Sequence, residues 1–247
     1  MSELNYVIKN DEVWGGRQEQ EFLEDKEIFI PNRYQGLPVV GIEESAFWGS
    51  KAEEVIIEDG IRIIEETVFD NCRKLAKISI PESVTEIGRG AFVFCFSLQN
   101  IILPEKVEKI GWDTFEGCHN LRYVILPNDI KEIESGAFLG AGRNWDPTCE
   151  VKKEVIRGER KTHYIYHYPD KAKIRDKEHY GIKFWIPKSN FSNYLQELPK
   201  YSVLYYEGSE EEAAVEMAKY LNRDKVPVYE FYQYNVQKEE ILRIIKD

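Results

Sequence analysis

The sequence has few of the residues on which most enzymes and metal sites depend. Its 247 residues include four histidines and four cysteines, and no two cysteines have the C-x-x-C spacing of a zinc site. It also has no phosphate-binding glycine loop, no dinucleotide fingerprint and no G-x-S-x-G motif. We therefore predict no metal, no cofactor, no catalytic residue and no enzymatic activity.

Long apolar runs and a surplus of basic residues are also missing. The longest apolar run, residues 91–96, has six residues, whereas a membrane span needs about 20. A net charge of −11 argues against a nucleic-acid partner. Residues 1–5 lack the basic start and apolar stretch of a secretory signal. We therefore expect no membrane insertion and, for the chain as written, a cytoplasmic location; a chain whose signal had been removed would be secreted or at the cell surface.

A repeat of 23 residues organises much of the chain. Three blocks align without a gap at 61–83, 84–106 and 107–129, after a shorter block at 39–60; a fifth begins at 130 and stops near 142. We number these blocks coils 1 to 5, because each is too short to bury its own apolar side and must stack on its neighbours. One aromatic column runs through all five coils: Phe47, Phe69, Phe92, Phe115 and Phe138.

Each coil also contains an apolar triplet that predicts a short strand. The triplets are residues 55–57, 78–80, 101–103 and 124–126, and the last three are closed or followed by proline, which cannot donate to a ladder. Neighbouring coils are expected to pair these strands in parallel. The phenylalanines are expected to stack, with Phe138 having a partner on fewer sides. Cys72, Cys95 and Cys118 share one small-residue column and are predicted to be buried free thiols.

The repeat resembles the BspA-type leucine-rich repeats. The residues that carry this resemblance in coil 3 are Val84, Ile87, Ala91, Phe92, Cys95, Leu98, Ile101, Leu103 and Pro104. The resemblance implies an α/β-type repeat solenoid: a right-handed coil with one short parallel strand per 23-residue repeat, flanked by N- and C-terminal capping units. It also implies adhesion or partner recognition, often on bacterial surfaces.

Four regions are predicted along the chain. Residues 1–38 are the N-terminal cap, and 39–142 are the repeats. Residues 143–180 are an insertion within coil 5, with a β-hairpin formed by 151–156 and 162–168. Residues 181–247 hold the delayed strand of coil 5 and a β-α-β capping unit, in which Ser209 and Glu212 form a capping box before a helix and 226–231 form a strand.

The outward side of the repeat strands is the first predicted partner-binding surface. In each triplet the outer two residues point inward and the middle one points outward, and three of these middle residues are isoleucines where polar residues are expected. The predicted partner-binding residues are Ile56, Lys77, Ser79, Asn100, Ile102, Tyr123 and Ile125. Coverage of this face by the insertion or a cap, and plain strand propensity, remain alternative explanations.

Large apolar residues beside the phenylalanine column mark a second predicted contact patch. Its members are Trp48, Val93, Phe94, Phe96 and Leu139. Packing of terminal segments on this patch is the alternative to a homo-oligomer. We thus predict a non-enzymatic protein-interaction module whose partner the sequence does not name. A separate effector or enzymatic domain in 143–247, or structural self-assembly, are the other hypotheses.

Overall fold

The computed structural model describes residues 4–16, 18, 24–142, 152–157, 162–167, 183–186, 198, 203–206, 209, 212, 232–233 and 242–243. The strands are β1 (Tyr6–Lys9), β2 (Glu12–Gly15), β3 (Glu27–Ile30), β4 (Arg33–Tyr34), β5 (Leu37–Ile42), β6 (Glu54–Ile57), β7 (Ile63–Ile64), β8 (Lys77–Ser79), β9 (Glu86–Ile87), β10 (Asn100–Ile102), β11 (Lys109–Ile110), β12 (Tyr123–Ile125), β13 (Glu132–Ile133), β14 (Lys152–Arg157), β15 (Thr162–His167), β16 (Lys183–Ile186), β17 (Val203–Tyr206) and β18 (Tyr232–Gln233).

Two parallel β walls run along the stacked coils. The triplet strands form the first wall, in the orders β3-β6-β8 and β10-β12-β16-β17-β18. The second wall consists of the six-residue strand β5 and the two-residue strands β7, β9, β11 and β13, in the orders β5-β7-β9 and β11-β13. Strand β2 extends it in parallel and pairs antiparallel with β1. The result is a parallel β-solenoid of about five turns.

A ladder of aromatic rings fills the interior between the walls. The rings of Phe47, Phe69, Phe92 and Phe115 stack with centroids 5.5 Å apart, and Phe138 follows at 5.2 Å. This distance is close to the spacing of hydrogen-bonded strands, so a 23-residue coil places each ring on the next. The ring of Phe184 packs edge-on against Phe138 at 5.0 Å. The expectation that Phe138 has a partner on fewer sides is therefore wrong.

Turns, and no helix, connect the two walls within residues 27–142. In every coil, residues two before and two after the ladder phenylalanine have positive φ angles, a conformation that cannot continue a right-handed helix. These residues are Ser45, Thr67, Gly90, Asp113 and Gly136 before the ring, and Gly49, Asn71, Phe94, Gly117 and Gly140 after it. The repeats are thus coils of strands and turns, and the α/β description is not confirmed.

Both walls are interrupted near coil 3. Within the described residues, no strand pairing joins β8 to β10 on the first wall or β9 to β11 on the second. The turns that carry the phenylalanine ladder remain hydrogen-bonded between coils 3 and 4. The backbone N–H of Phe92 donates to the carbonyl of Thr114 at 2.9 Å, and that of Phe94 donates to the carbonyl of Glu116 at 2.7 Å. The coils are therefore joined most regularly along the phenylalanine side.

The predicted strands after residue 142 are present where the structure describes them. Strand β16 pairs in parallel with β12, with Phe184 opposite Val124, so the delayed strand takes the next place in the first wall. Strands β14 and β15 pair antiparallel in the segment for which a hairpin is predicted. Ser209 and Glu212 exchange both hydrogen bonds of a capping box, at 2.9 and 3.2 Å. The predicted helix after it and the strand at 226–231 lie outside the described residues.

Candidate interaction surfaces

The strand face, which we define as the outward side of the first wall, is apolar and exposed at its N-terminal end. Strand alternation sends Val55 and Ile57 inward and leaves Ile56 42% exposed. Phe29 stands in register with Ile56 on the neighbouring strand and is 51% exposed. Ser79 follows on β8 and is also exposed. Two large apolar side chains therefore meet solvent side by side.

Phe29 belongs to this surface, although it lies outside the predicted repeats. Its segment, Glu27–Ile30, was assigned to the N-terminal cap, yet it pairs with β6 as a further triplet strand. The signal was in the sequence: Ile28 and Ile30 flank Phe29, and Pro31 follows them as proline follows the later triplets.

The same column is buried at the C-terminal end of the strand face. Ile125 is 0% exposed and Trp185, in register beside it on β16, is 1% exposed. Tyr123 is also buried, and the guanidinium of Arg122 lies 5.4 Å from its ring centroid. The expectation that Tyr123 and Ile125 are exposed is wrong: Trp185 stands beside Ile125 on a strand that comes after the period is interrupted, and Arg122 packs on the ring of Tyr123. Between the two ends, Ile102 is half-buried.

Polar residues border the apolar column. Lys77, at the start of β8, is exposed, and Asn100, at the start of β10 in the next coil, is half-buried. The side-chain oxygen of Asn100 is buried and accepts no hydrogen bond from any residue that the structure describes. A buried polar atom without a partner is uncommon in folded proteins.

The corner surface, which we define as the predicted patch Trp48, Val93, Phe94, Phe96 and Leu139 with the residues between them, lies on the turns after the phenylalanine ladder. Trp48 and Leu139, in coils 1 and 5, are 47% and 41% exposed. The three coil 3 residues are half-buried, and the Phe94 and Phe96 rings meet edge-on at 5.9 Å. The patch is therefore partly exposed along its whole length.

Aromatic and charged groups stack beside Phe96. The imidazole of His119 lies parallel to the Phe96 ring at 4.5 Å, and the guanidinium of Arg73 lies 5.3 Å from the same ring. Cation–π attraction of this kind is worth about 0.5–1 kcal/mol at exposed sites. Trp112, which the repeat pattern did not single out, is half-exposed on the turn before the ladder, and the guanidinium of Arg89 lies 5.6 Å from its ring.

Two carboxyl groups alternate with the apolar residues of the corner surface. Burial raises the pKa of Asp70, and a hydrogen bond from Trp48 opposes this effect. Burial, followed by the charges of Asp113 and Asp70, raises the pKa of Glu116 to about 6. The surface therefore changes its charge in mildly acidic solution.

A groove of about 920 Å³ lies on the second wall, where β9 and β11 do not pair with each other. Gly88 and Gly111 form part of its floor, in a column where coils 2 and 5 carry glutamate. A Cβ on Gly88 would lie 2.5 Å from the backbone of Glu65, so this position requires glycine. The charged lining consists of Glu44, Glu65, Glu66, Glu86, Arg89, Lys106, Glu108, Lys109 and Glu134. Ion pairs of Lys109 with Glu132 and Glu134, at 3.2 and 2.8 Å, neutralise part of it.

The predicted thiol column is confirmed for Cys72, Cys95 and Cys118, which are free and buried. Each thiol donates to the phenylalanine carbonyl of the preceding coil, at 3.1 to 3.2 Å. Burial raises the pKa of all three thiols, that of Cys72 to about 12. Cys149 lies outside the described residues. These thiols have a packing role and low reactivity.

The described residues contain no group of three or more acidic, cysteine or histidine side chains placed to hold a metal ion. A search of the same residues finds no helix that is both long and apolar enough to span a membrane. Most of region 143–247 lies outside the described residues, so the hypothesis of an effector or enzymatic domain there stays a hypothesis.

Comparison with known families identifies the repeat. The family model described as BspA type Leucine rich repeat region matches residues 40–143, in six copies. Residues 40–143 are therefore a BspA-type leucine-rich repeat region, as the sequence pattern predicts. Repeats of this family generally serve as protein-interaction modules.

Solved structures of bacterial leucine-rich repeat proteins resemble the chain. The T. pallidum protein TpLRR is 34% identical, with a TM-score of 0.53 over 57% of this chain and 65% of its own. A Bacteroides ovatus protein is 32% identical, with a TM-score of 0.49 over 56% of this chain and 37% of its own. The pneumococcal vaccine antigen PcpA is 14% identical and shares the fold, with a TM-score of 0.57 over 94% of this chain and 48% of its own. The chain spans less than two thirds of each of these proteins. No curated protein matches it.

Proposed function

We propose that this protein is a non-enzymatic interaction module that binds a partner protein through the N-terminal half of its strand face. The general use of this repeat family in protein interactions supports the class of function. The solenoid supports the mode of binding, because it presents equivalent positions of successive coils as one extended surface.

The observation that carries the proposal is the exposed pair Phe29 and Ile56. Their strands are hydrogen-bonded in register, so both side chains are held on a rigid sheet. Interfaces concentrate their binding energy in a few apolar or aromatic residues surrounded by a polar rim. Phe29 and Ile56 fit the centre of such a site, and Lys77 and Asn100 fit its rim. Of the predicted partner-binding residues, Ser79 and Ile102 extend this site, whereas Tyr123 and Ile125 are buried.

We also propose that the two terminal regions cap the array, as the family resemblance implies. The backbone N–H of Gln18 donates to the carbonyl of Ala46 at 3.0 Å. This carbonyl precedes the first ladder phenylalanine, in the same position as the carbonyls that join the later turns. The capping box of Ser209 and Glu212 supports a helix start in the C-terminal unit. Deletion of either cap should expose a ladder end and lower solubility.

Binding can be tested with a charge placed on the strand face. The variants are Phe29→Asp and Ile56→Asp, with Thr85→Asp as the control, because Thr85 is an exposed residue that precedes β9, away from the strand face. Immobilised wild-type protein and each variant are exposed to extract from the native host, and retained proteins are quantified by mass spectrometry. A protein retained by wild type and Thr85→Asp is then purified for direct measurement of its affinity.

We expect this purified partner to bind either strand-face variant at least about tenfold more weakly than wild type, a loss of about 1.4 kcal/mol. Circular dichroism of each variant verifies that the fold is retained. Equal affinity of all four proteins would exclude the strand face as the binding site.

A further inference from the structure

The corner surface has an arrangement that a second copy of the chain would match. The residues that follow the ladder phenylalanine are Trp48, Asp70, Val93, Glu116 and Leu139, one from each coil. The order is apolar, acidic, apolar, acidic, apolar, so it is the same in both directions about Val93. A two-fold axis through coil 3 would therefore place apolar residues on apolar residues and carboxyl on carboxyl. Isologous dimers are built on such self-complementary surfaces.

Coil 3 supplies the apolar centre of this arrangement. Val93, Phe94 and Phe96 lie together there, whereas the neighbouring coils carry polar residues or glycine at the same places. An apolar centre flanked by polar groups is the usual anatomy of an interface.

Phe94 adds an independent observation, because its backbone is strained. Its φ angle is +57°, and the equivalent residues of the other coils are Gly49, Asn71, Gly117 and Gly140. A bulky residue rarely adopts this conformation, and strain of this kind clusters at functional sites. The Phe94 ring lies over Gly117, where a Cβ would come within 2.5 Å of it. The chain thus holds an aromatic ring on its surface at a position where glycine or asparagine would satisfy the turn.

We propose that the corner surface is a homodimer interface, on which a second copy docks antiparallel about coil 3, and that the dimer tightens as the pH falls. In this arrangement Val93 and Phe94 of each copy meet at the axis, and Trp48 of one copy faces Leu139 of the other. This interface is separate from the strand face, so it goes beyond the proposed binding of a partner protein.

The charged groups that face each other set the pH dependence. In this arrangement Asp70 faces Glu116 of the second copy, and two ionised carboxylates that face each other repel, so association is favoured when one of them is protonated. In the single chain the pKa values of Asp70 and Glu116 are already raised, and this also favours protonation at the facing pair. Asp113 also acts on Glu116 and is itself held 3.7 Å from Arg89. His119 faces Arg73 of the second copy.

Sedimentation velocity of the full chain at about pH 7.5 and pH 5.5, either side of the Glu116 transition, tests the dimer. We expect association to strengthen at least about tenfold at the lower pH. Glu116→Gln should give comparable association at both pH values, because the carboxamide carries no charge.

Two variants test the apolar centre. Val93→Asp should be monomeric at both pH values. Phe94→Asn should fold, because Asn71 adopts the same conformation one coil earlier, yet it should weaken association at least about tenfold. Thr85→Asp, remote from the corner, should associate as wild type does.

A wild-type chain that is monomeric at both pH values would overturn the proposal. Association that Val93→Asp and Phe94→Asn leave unchanged would overturn it too, including any general aggregation near the isoelectric point. Neither result bears on the strand face, whose test uses other residues.

Discussion

The two ends of the strand face have the same backbone arrangement and opposite surroundings. Phe29 and Ile56 stand in register on β3 and β6 and are exposed, whereas Ile125 and Trp185 stand in register on β12 and β16 and are buried. Strand alternation decides only which way a side chain points. Whether an outward side chain meets solvent depends on the bulk that neighbouring segments add. One column of a repeat protein can thus serve as a surface at one end and as core at the other.

The phenylalanine ladder provides the reference for this comparison, because its environment is similar at both ends. Phe92 and Phe138 each have ring contacts on two sides. We expect Phe92→Ala and Phe138→Ala each to lower the free energy of unfolding by about 3–5 kcal/mol, because each leaves a cavity in the stack. Urea denaturation followed by circular dichroism measures both. A much smaller loss at Phe138 would contradict its contact with Phe184.

A matched pair of truncations tests the two ends of the strand face directly. Ile125→Ala should lower the free energy of unfolding by about 2–5 kcal/mol, because the residue is fully buried. Ile56→Ala should cost about 1 kcal/mol or less, because much of its side chain is already in water. The same urea titrations measure both variants. Similar losses at the two sites would show that the ends do not differ as described.

The corner surface is neither as exposed as the N-terminal end of the strand face nor as buried as its C-terminal end. The pH dependence of stability caused by Glu116 measures this partial burial. Its pKa in the folded chain, about 6, is above its ordinary value of 4.5. Folding therefore disfavours the ionised form, so its contribution to stability rises as the pH falls from above 6 towards 4.5. Because the group is partly exposed, we expect ionised Glu116 to destabilise the fold by about 1 kcal/mol at neutral pH, less than the full pKa shift would give.

Glu116→Gln should therefore be more stable than wild type by about 1 kcal/mol near pH 7.5, with no advantage near pH 4. Urea titrations across this range, at protein concentrations that keep the chain monomeric, measure the difference. Glu86→Gln is the control, because Glu86 is an exposed glutamate of the second wall. An equal gain at neutral pH in both variants would mean that overall charge, and not burial of Glu116, is the cause.

The repeat itself could be read from the sequence because its columns are periodic. The phenylalanine ladder, the parallel triplet strands and the buried thiols all follow from residue types that recur every 23 positions. Ser209 and Glu212 were predictable for a different reason, since a capping box is a local signal confined to four residues.

Other features depend on single coils and could not be read from the period. The burial of Ile125 depends on Trp185, which is far away in the sequence and joins β12 only after the insertion. The two αL residues per coil, which exclude a helix, were partly hidden because Ser45, Thr67 and Phe94 stand where glycine would have signalled the turn. Phe29 was missed because it precedes the first recognised coil.

The backbone hydrogen bonds donated by the ladder phenylalanines run in one direction. The backbone N–H groups of Phe47, Phe69 and Phe115 donate to the next coil, at Val68, Ala91 and Ala137, at 3.0, 2.9 and 2.7 Å. At these turns each junction therefore joins the same kind of donor to the same kind of acceptor, although β8 and β10, and likewise β9 and β11, are not paired. Removing or duplicating one whole 23-residue unit would rejoin donors to acceptors of the same kind, so this architecture can change length during evolution by unequal exchange between its own repeats.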